Sequence, residues 1–186
     1  VWFIIAAFFY LAMVVSLQVI VANGPGMAIR PALVQSLFGN LKWLTLVAAT
    51  DAAPLVFSAS YGDEENGVSE SYADRCNVEF MKAGARGISL LFASGDSGAA
   101  GDSHTCKGGK FVPQWPSGSP YVTAVGGTSG GGLAPPESAA AIASGGFSNR
   151  WAQPAWQKDA VATCLASPTL PDATKYNATG RGFPDI

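Results

Sequence analysis

Asp96 is the residue whose type and surroundings point most directly to chemistry. It lies in S-G-D-S-G, residues 94–98, directly after an apolar run, and its small neighbours include no basic group. Once protonated, such a carboxyl group donates a hydrogen bond to negative charge that develops on a substrate oxygen. The alternative is a structural role, in which the Asp96 side chain closes an Asx-turn.

Two serines lie in short motifs that resemble the nucleophile motifs of known proteases, but the structure predicted around them differs from that of those proteases. G-D-S-G around Ser97 has the order found in chymotrypsin-like proteases, whose folds are all-β, whereas here it follows a predicted parallel strand. A Ser-His-Asp triad would need His104, the only histidine, in a Gly/Ser/Lys-rich loop. Ser129 matches a subtilisin-type phrase, but the Gly- and Pro-rich residues after it cannot continue the required helix. We therefore assign neither serine as a nucleophile.

Three short apolar runs predict the strands that position Asp96, and the first two of these strands are expected to be buried. They are residues 55–60, 88–93 and 121–125. Ser69 is predicted to cap a helix that continues to about Ala85, and Gly87 ends it. A strand, a helix and a strand within roughly 40 residues predict a βαβ unit, with parallel strands and a right-handed crossover.

The three predicted strands end in turns that contain glycine, and ligands bind at such ends in open parallel sheets. The turn residues are Ser60, Tyr61 and Gly62; Ser94 and Gly95, before Asp96; and Gly126, Gly127 and Thr128. Glycine permits a positive φ and the close approach of another backbone. We predict that these residues bind an extended peptide; the alternative is that their glycines only end the strands.

Composition and charge exclude several classes of function. The 186 residues suffice for one domain, and 48% hydrophobic with 13% charged residues is not the composition of a disordered chain. A net charge of −2 predicts no nucleic-acid surface, and a single histidine excludes paired-His metal sites. Cys76, Cys106 and Cys164 form no C-x-x-C pair, which excludes zinc ribbons, and at most two of them can pair with each other.

The first 22 residues differ from the rest because they carry no charge. As a helix they would reach roughly 33 Å, enough to cross a bilayer core of about 30 Å. We predict an apolar helix that is a transmembrane anchor, the core of a signal peptide or a spurious segment such as a mistranslated intron. The protein is then expected in a membrane, or in a lysosome or secreted. Residues 23–31 are predicted as a linker and residues 32–186 as the domain.

From about Phe38 to Ile186 the sequence resembles the sedolisin family, the serine-carboxyl peptidases. The matching phrases are S-Y-G-D-E-E (60–65), M-K-A-G-A-R-G (81–87), L-L-F-A-S-G-D-S-G-A (90–99), S-P-Y-V-T-A-V-G-G-T-S (119–129), S-G-G-F-S-N (144–149) and R-G-F-P-D-I (181–186). The resemblance implies an α/β, subtilisin-like fold, a parallel sheet with flanking helices, of which this chain holds a fragment. It also implies that Asp96 belongs to the oxyanion hole and that the Ser60–Gly62 edge pairs with a peptide or protein substrate. An acidic medium would protonate the carboxyl, since an ordinary aspartic acid has a pKa near ~3.9.

The resemblance also implies groups that this sequence does not show. The family's serine nucleophile phrase, S-G-T-S-A-S, and its calcium site are expected after Ile186. Its Glu base and supporting Asp are expected four residues apart upstream of Ser60, where Asp51 is the only acid. We therefore expect an incomplete serine peptidase; the alternative is an inactive, membrane-anchored protein that binds peptides. Cys106 lies near the position of a disulfide cysteine in the family, and Asn177 begins a glycosylation sequon.

We expect no peptide cleavage by the isolated chain at a pH near ~4, because three of the four catalytic groups that the resemblance implies are absent. Incubation with peptides, followed by mass spectrometry of the products, checks this. Turnover that disappears in Asp96→Ala would overturn the expectation.

Overall fold

The computed structural model describes residues 55–101, 105–106, 108–130 and 137–186. The strands are β1 (Val56–Ala59), β2 (Asp63–Glu64), β3 (Ser89–Ala93), β4 (Gln114–Trp115), β5 (Thr123–Val125), β6 (Thr128–Ser129), β7 (Ser138–Ala139), β8 (Gly146–Ala152) and β9 (Gly180–Phe183). The helices are α1 (Glu70–Ala85) and α2 (Lys158–Leu165). No helix in these ranges is long and apolar enough to span a membrane. The predicted apolar helix 1–22 and linker 23–31 lie outside the described residues.

Three parallel strands form the central sheet, in the order β1-β3-β5. The Cα atom of Phe57 lies opposite that of Leu90, and Phe92 lies opposite Ala124. Helix α1 connects β1 to β3, as the sequence predicts for a βαβ unit. The predicted parallel α/β arrangement is confirmed.

Helix α1 packs its buried face against β3. The buried residues recur at helical spacing and are Tyr72, Ala73, Cys76, Asn77, Phe80 and Ala83. The ring of Phe80 lies 5.6 Å from that of Phe92, between centroids. Ser69 occupies the N-cap, but its side chain makes no capping hydrogen bond. Gly87 ends the helix at a φ of +75°, a conformation that glycine adopts without strain.

The expectation that the first strand is buried was wrong. Val56 of β1 is 59% exposed, and Ser58 is also exposed. Among the described strands, β1 pairs with β3 alone and forms one edge of the described sheet. Val56 and Ser58 alternate with Phe57, whose neighbour Leu90 is buried, so they lie on the opposite face of the sheet.

Short antiparallel pairs surround this sheet, and the sequence did not predict them. They are β2 with β4, β6 with β7, and β8 with β9. The first pair sets Asp63 opposite Trp115, which is fully buried and lies 5.9 Å from the Tyr72 ring. The β2–β4 pair therefore holds the segment that follows β1 close to α1.

Arg181 is a fully buried cation that organises the end of the described chain. Its guanidinium donates hydrogen bonds to the Val122 carbonyl at 3.0 Å, to the Gly182 carbonyl at 2.7 Å and to the Asp185 carboxylate at 2.5 Å. The same Asp185 carboxylate accepts from the Ala124 amide at 2.8 Å. Burial lowers the pKa of Arg181, and the Asp185 charge opposes that effect.

The Arg181–Asp185 pair fixes the last residues beside β5. The Asp185 amide donates to the Ala124 carbonyl at 2.8 Å, and the Gly126 amide donates to the Ile186 carbonyl at 2.7 Å. Residues 185–186 therefore lie along the edge of β5 that faces away from β3.

We expect Arg181→Met to lower the free energy of unfolding by about 3 kcal/mol, because it removes a fully buried cation together with its hydrogen bonds to two backbone carbonyls and its ion pair with Asp185. Urea unfolding of the full chain measures this. The control is Lys82→Ala, which removes an exposed ion pair with Glu79 and is expected to cost less than about 1 kcal/mol. Equal losses in the two variants would contradict the prediction.

Candidate active site

The turns predicted to bind substrate lie together at one edge of the central sheet. Ser60, Ser94 and Gly126 directly follow β1, β3 and β5, and parallel strands end at the same edge. The ladder continues to this edge, where Ala93 lies opposite Val125 and the Ser94 amide donates to the Val125 carbonyl at 2.9 Å. Ser60 is exposed there and Tyr61 is half-buried.

Asp96 presents an exposed carboxyl group from a loop whose backbone is held in place. No described residue hydrogen-bonds its carboxyl oxygens, so they are accessible to a ligand. The Gly95 carbonyl accepts from the Ser144 amide at 2.9 Å, and the Ser97 amide donates to Ser144 Oγ at 3.1 Å. The Gly98 amide adds a bond of 3.0 Å to the Ile142 carbonyl.

Gly95 adopts a positive φ of +113°, a conformation that glycine permits. A Cβ atom built on it would lie 2.8 Å from Ser144 Oγ and 3.0 Å from Gln114 Cγ. Side chains of the protein itself, and not a substrate, therefore leave no room for a side chain at position 95. Only glycine satisfies both the backbone angle and the lack of space.

Two of the other turn glycines also lie against the protein's own backbone or proline rings. A Cβ on Gly62 would lie 2.8 Å from the Trp115 carbonyl oxygen, and one on Gly126 would lie 3.0 Å from Pro184 Cγ. Gly127 has only ordinary contacts, and its carbonyl accepts from the Ala140 amide at 2.9 Å. Glycine at positions 62 and 126 is thus explained by packing, and peptide binding by these turns stays a prediction.

The remaining predicted residues differ in accessibility. Thr128 is exposed in β6, and its hydroxyl donates to Glu137 Oε1 at 2.6 Å. Ser94 is buried, and its hydroxyl has no partner among the described residues. The Asn177 amide donates to the Ser148 carbonyl at 2.8 Å, while its oxygen accepts from the Thr179 hydroxyl. Glycosylation at Asn177 stays a prediction.

Glu65 is a buried acid near this site that the sequence reasoning did not single out. Ser148 Oγ donates to its Oε1, and the Asn149 amide donates to its Oε2 at 2.8 Å. Burial raises the pKa of Glu65 above the ordinary 4.5, and these hydrogen bonds and the Arg150 charge partly oppose that rise. Glu65 thereby ties the segment after β1 to β8. Glu65 and Ser148 both lie in sequence motifs that resemble the sedolisin family, S-Y-G-D-E-E and S-G-G-F-S-N. The two residues are 83 positions apart, so no local sequence pattern indicates that they are in contact.

The described residues contain no group of three or more His, Cys, Asp or Glu side chains that could hold a metal ion. The calcium site that the resemblance to the family leads us to expect after Ile186 stays a prediction. All three cysteines are free: Cys76 is buried, and Cys106 and Cys164 are exposed. Burial raises the pKa of the Cys76 thiol to about 11, which makes it a poor nucleophile.

Comparison with known proteins finds similarity to peptidases. The chain is 48% identical over 149 residues to tripeptidyl-peptidase 1 of Canis lupus familiaris and 47% identical to that of Homo sapiens. Its fold is similar to that of Pseudomonas sedolisin, a serine-carboxyl proteinase complexed with two molecules of pseudo-iodotyrostatin. The TM-score is 0.56 at 23% identity, over 83% of this chain and 41% of the sedolisin chain. No protein-family model matches the sequence.

On these similarities the chain belongs to the sedolisin family of serine peptidases. Its relatives within that family include tripeptidyl-peptidase 1 of several mammals. The match covers 78% of this chain but 26% of the length of these relatives.

We expect Glu65→Gln to weaken the dependence of stability on pH. A raised folded-state pKa means that Glu65 favours folding most when it is protonated, below about pH 4.5, and that this contribution is lost as the pH rises through the folded-state value. Thermal unfolding of the full chain from pH 4 to pH 7 measures the slope. The control, Asp74→Asn, changes an exposed acid of α1 and is expected to keep the wild-type slope. An identical slope in wild type and Glu65→Gln would contradict the prediction.

Proposed function

We propose that this chain forms part of a serine-carboxyl peptidase that hydrolyses peptides in an acidic medium, with Asp96 in its oxyanion hole. The observation that carries the proposal is the exposed carboxyl of Asp96, which no described residue engages, on a loop fixed by hydrogen bonds on both sides. A donor held in advance where charge develops lowers the barrier without reorganising during the reaction.

The proposed chemistry requires a neutral carboxyl group at Asp96. When a serine nucleophile attacks the scissile carbonyl, negative charge moves to the carbonyl oxygen. Protonated Asp96 donates a hydrogen bond to that oxygen, whereas its carboxylate would repel it. The rate is therefore expected to fall as rising pH removes this proton. An acidic compartment such as the lysosome, or an acidic extracellular medium, suits this chemistry.

In this proposal the nucleophile and its Glu and Asp partners correspond to parts of the relatives outside the matched 26% of their length. The described segment contributes the oxyanion carboxyl and a surface for the substrate backbone. Ser60, Tyr61 and Gly62 extend from β1, whose outer edge pairs with no described strand. An extended peptide that pairs along this edge would be oriented by backbone hydrogen bonds, independently of its side chains. The name of the relatives, tripeptidyl-peptidase, makes oligopeptides the first substrates to test.

A hybrid peptidase tests the role of Asp96. The part of Canis lupus familiaris tripeptidyl-peptidase 1 that aligns with residues 55–186 of this chain is replaced by those residues. Then kcat and KM are measured on a fluorogenic tripeptide substrate across acidic pH. We expect Asp96→Ala to lower kcat by about 10²- to 10³-fold, as for the loss of an oxyanion donor. Asp96→Asn, whose amide donates at any pH, is expected to lose less activity and to show a weaker fall with rising pH.

The matched control is Asp159→Asn, which alters an exposed acid on α2 and is expected to keep the activity of the hybrid. If Asp96→Ala retains kcat, Asp96 is not the oxyanion donor. If the hybrid folds but cleaves nothing, the segment does not support peptidase chemistry, and peptide binding without turnover becomes the better account.

A further inference from the structure

Ser144 is a buried serine that contacts the Asp96 loop on both sides of the carboxyl-bearing residue. It is 2% exposed and precedes β8 in the chain. Its amide donates to the Gly95 carbonyl, and its hydroxyl oxygen accepts from the Ser97 amide. Gly95 and Ser97 are the two residues that flank Asp96, so these two bonds bracket it.

The loop conformation and the Ser144 hydroxyl are matched to each other. Gly95 has a φ of +113°, and the space where its Cβ would stand is filled by Ser144 Oγ and Cβ, at 2.8 Å and 3.0 Å. A larger side chain at position 144 would press on the Gly95 backbone. Alanine would leave the Ser97 amide without its acceptor. Serine therefore combines the small volume and the acceptor that this loop requires.

We propose that Ser144 is a positioning residue for Asp96: its hydroxyl fixes the Ser97 amide and thereby the direction in which the Asp96 carboxyl is presented. This inference rests on the proposed role of Asp96 in the oxyanion hole. Ser144 itself contacts no substrate in this scheme. It acts through the backbone of the loop, and small errors in the placement of a catalytic group cost large factors in rate.

The substitution Ser144→Ala separates positioning from folding. It removes one hydrogen bond, to the Ser97 amide, and keeps two backbone bonds between the same segments: Ser144 amide to Gly95 carbonyl, and Gly98 amide to Ile142 carbonyl. The loop therefore stays attached while the constraint next to Asp96 is lost. Since the negative charge develops on the way to the tetrahedral intermediate and is absent from the bound substrate, misplacing its donor lowers kcat and leaves KM nearly unchanged.

Ser119→Ala is the matched control. Ser119 is also fully buried; its hydroxyl oxygen accepts from the Tyr121 amide at 3.2 Å, and its proton goes to Asn77 Oδ1 at 2.6 Å. Both substitutions thus delete a buried hydroxyl that accepts from a backbone amide, but Ser119 makes no contact with the Asp96 loop among these bonds. Loss of stability alone would affect both variants, and loss of positioning would affect Ser144→Ala alone.

Two measurements test the proposal. Amide hydrogen exchange on the full chain is expected to speed up at Ser97 in Ser144→Ala by about 10-fold or more, and not in Ser119→Ala. In the hybrid peptidase, Ser144→Ala is expected to lower kcat by about 10-fold with KM changed less than about 2-fold. The Ser119→Ala hybrid is expected to keep its kcat.

The outcomes distinguish this inference from the proposed function. If Asp96→Ala lowers kcat and Ser144→Ala does not, Ser144 is structural and the positioning role is refuted, while the role of Asp96 stands. A rise in KM at constant kcat in Ser144→Ala also refutes positioning. If Asp96→Ala has no effect on kcat, the proposed function fails and the positioning role fails with it.

Discussion

The packing of Phe80 of α1 on Phe92 of β3 is the contact on which the rest of the described structure depends. Both rings are almost fully buried, and burial of each is worth roughly 2–3 kcal/mol. This contact fastens the crossover helix to the middle strand of β1-β3-β5, and thereby keeps the strands parallel. Because the strands are parallel, their carboxyl ends meet at one edge, which is where Asp96 lies. The position of the candidate site is thus a consequence of apolar burial between the helix and the strand that precedes Asp96, and not of contacts within the site itself.

The detailed shape of that edge depends on polar contacts between distant segments. Ser144 holds the loop after β3, the Trp115 carbonyl lies against Gly62 after β1, and residues 185–186 occupy the outer edge of β5. Each contact joins a turn to a part of the chain that is remote in sequence. The sheet sets where the turns are, and these neighbours set their conformation.

The sheet and helix arise from local sequence patterns, whereas the conformation of the turns depends on distant contacts. This difference explains which features the sequence could predict. Strands β3 and β5 and helix α1 have local patterns: apolar runs, helical spacing and a glycine at position 87. Asp96 was found because it directly follows such a run. The bonds of Ser144 and Glu65 to partners 47 and 83 residues away have no local pattern, so no periodicity could reveal them. The exposure of β1 was missed for a related reason, since its own residues do not show whether both faces of the strand are covered.

Glu65 has a consequence for how the chain reaches and keeps its fold. Because burial raises its pKa, folding in a neutral medium must either bury a charge or take up a proton from solvent. Acidification supplies that proton, and the folded form then opens less often. Proteases attack the opened state, so this contribution of Glu65 makes the chain more resistant to proteolysis in an acidic medium than in a neutral one.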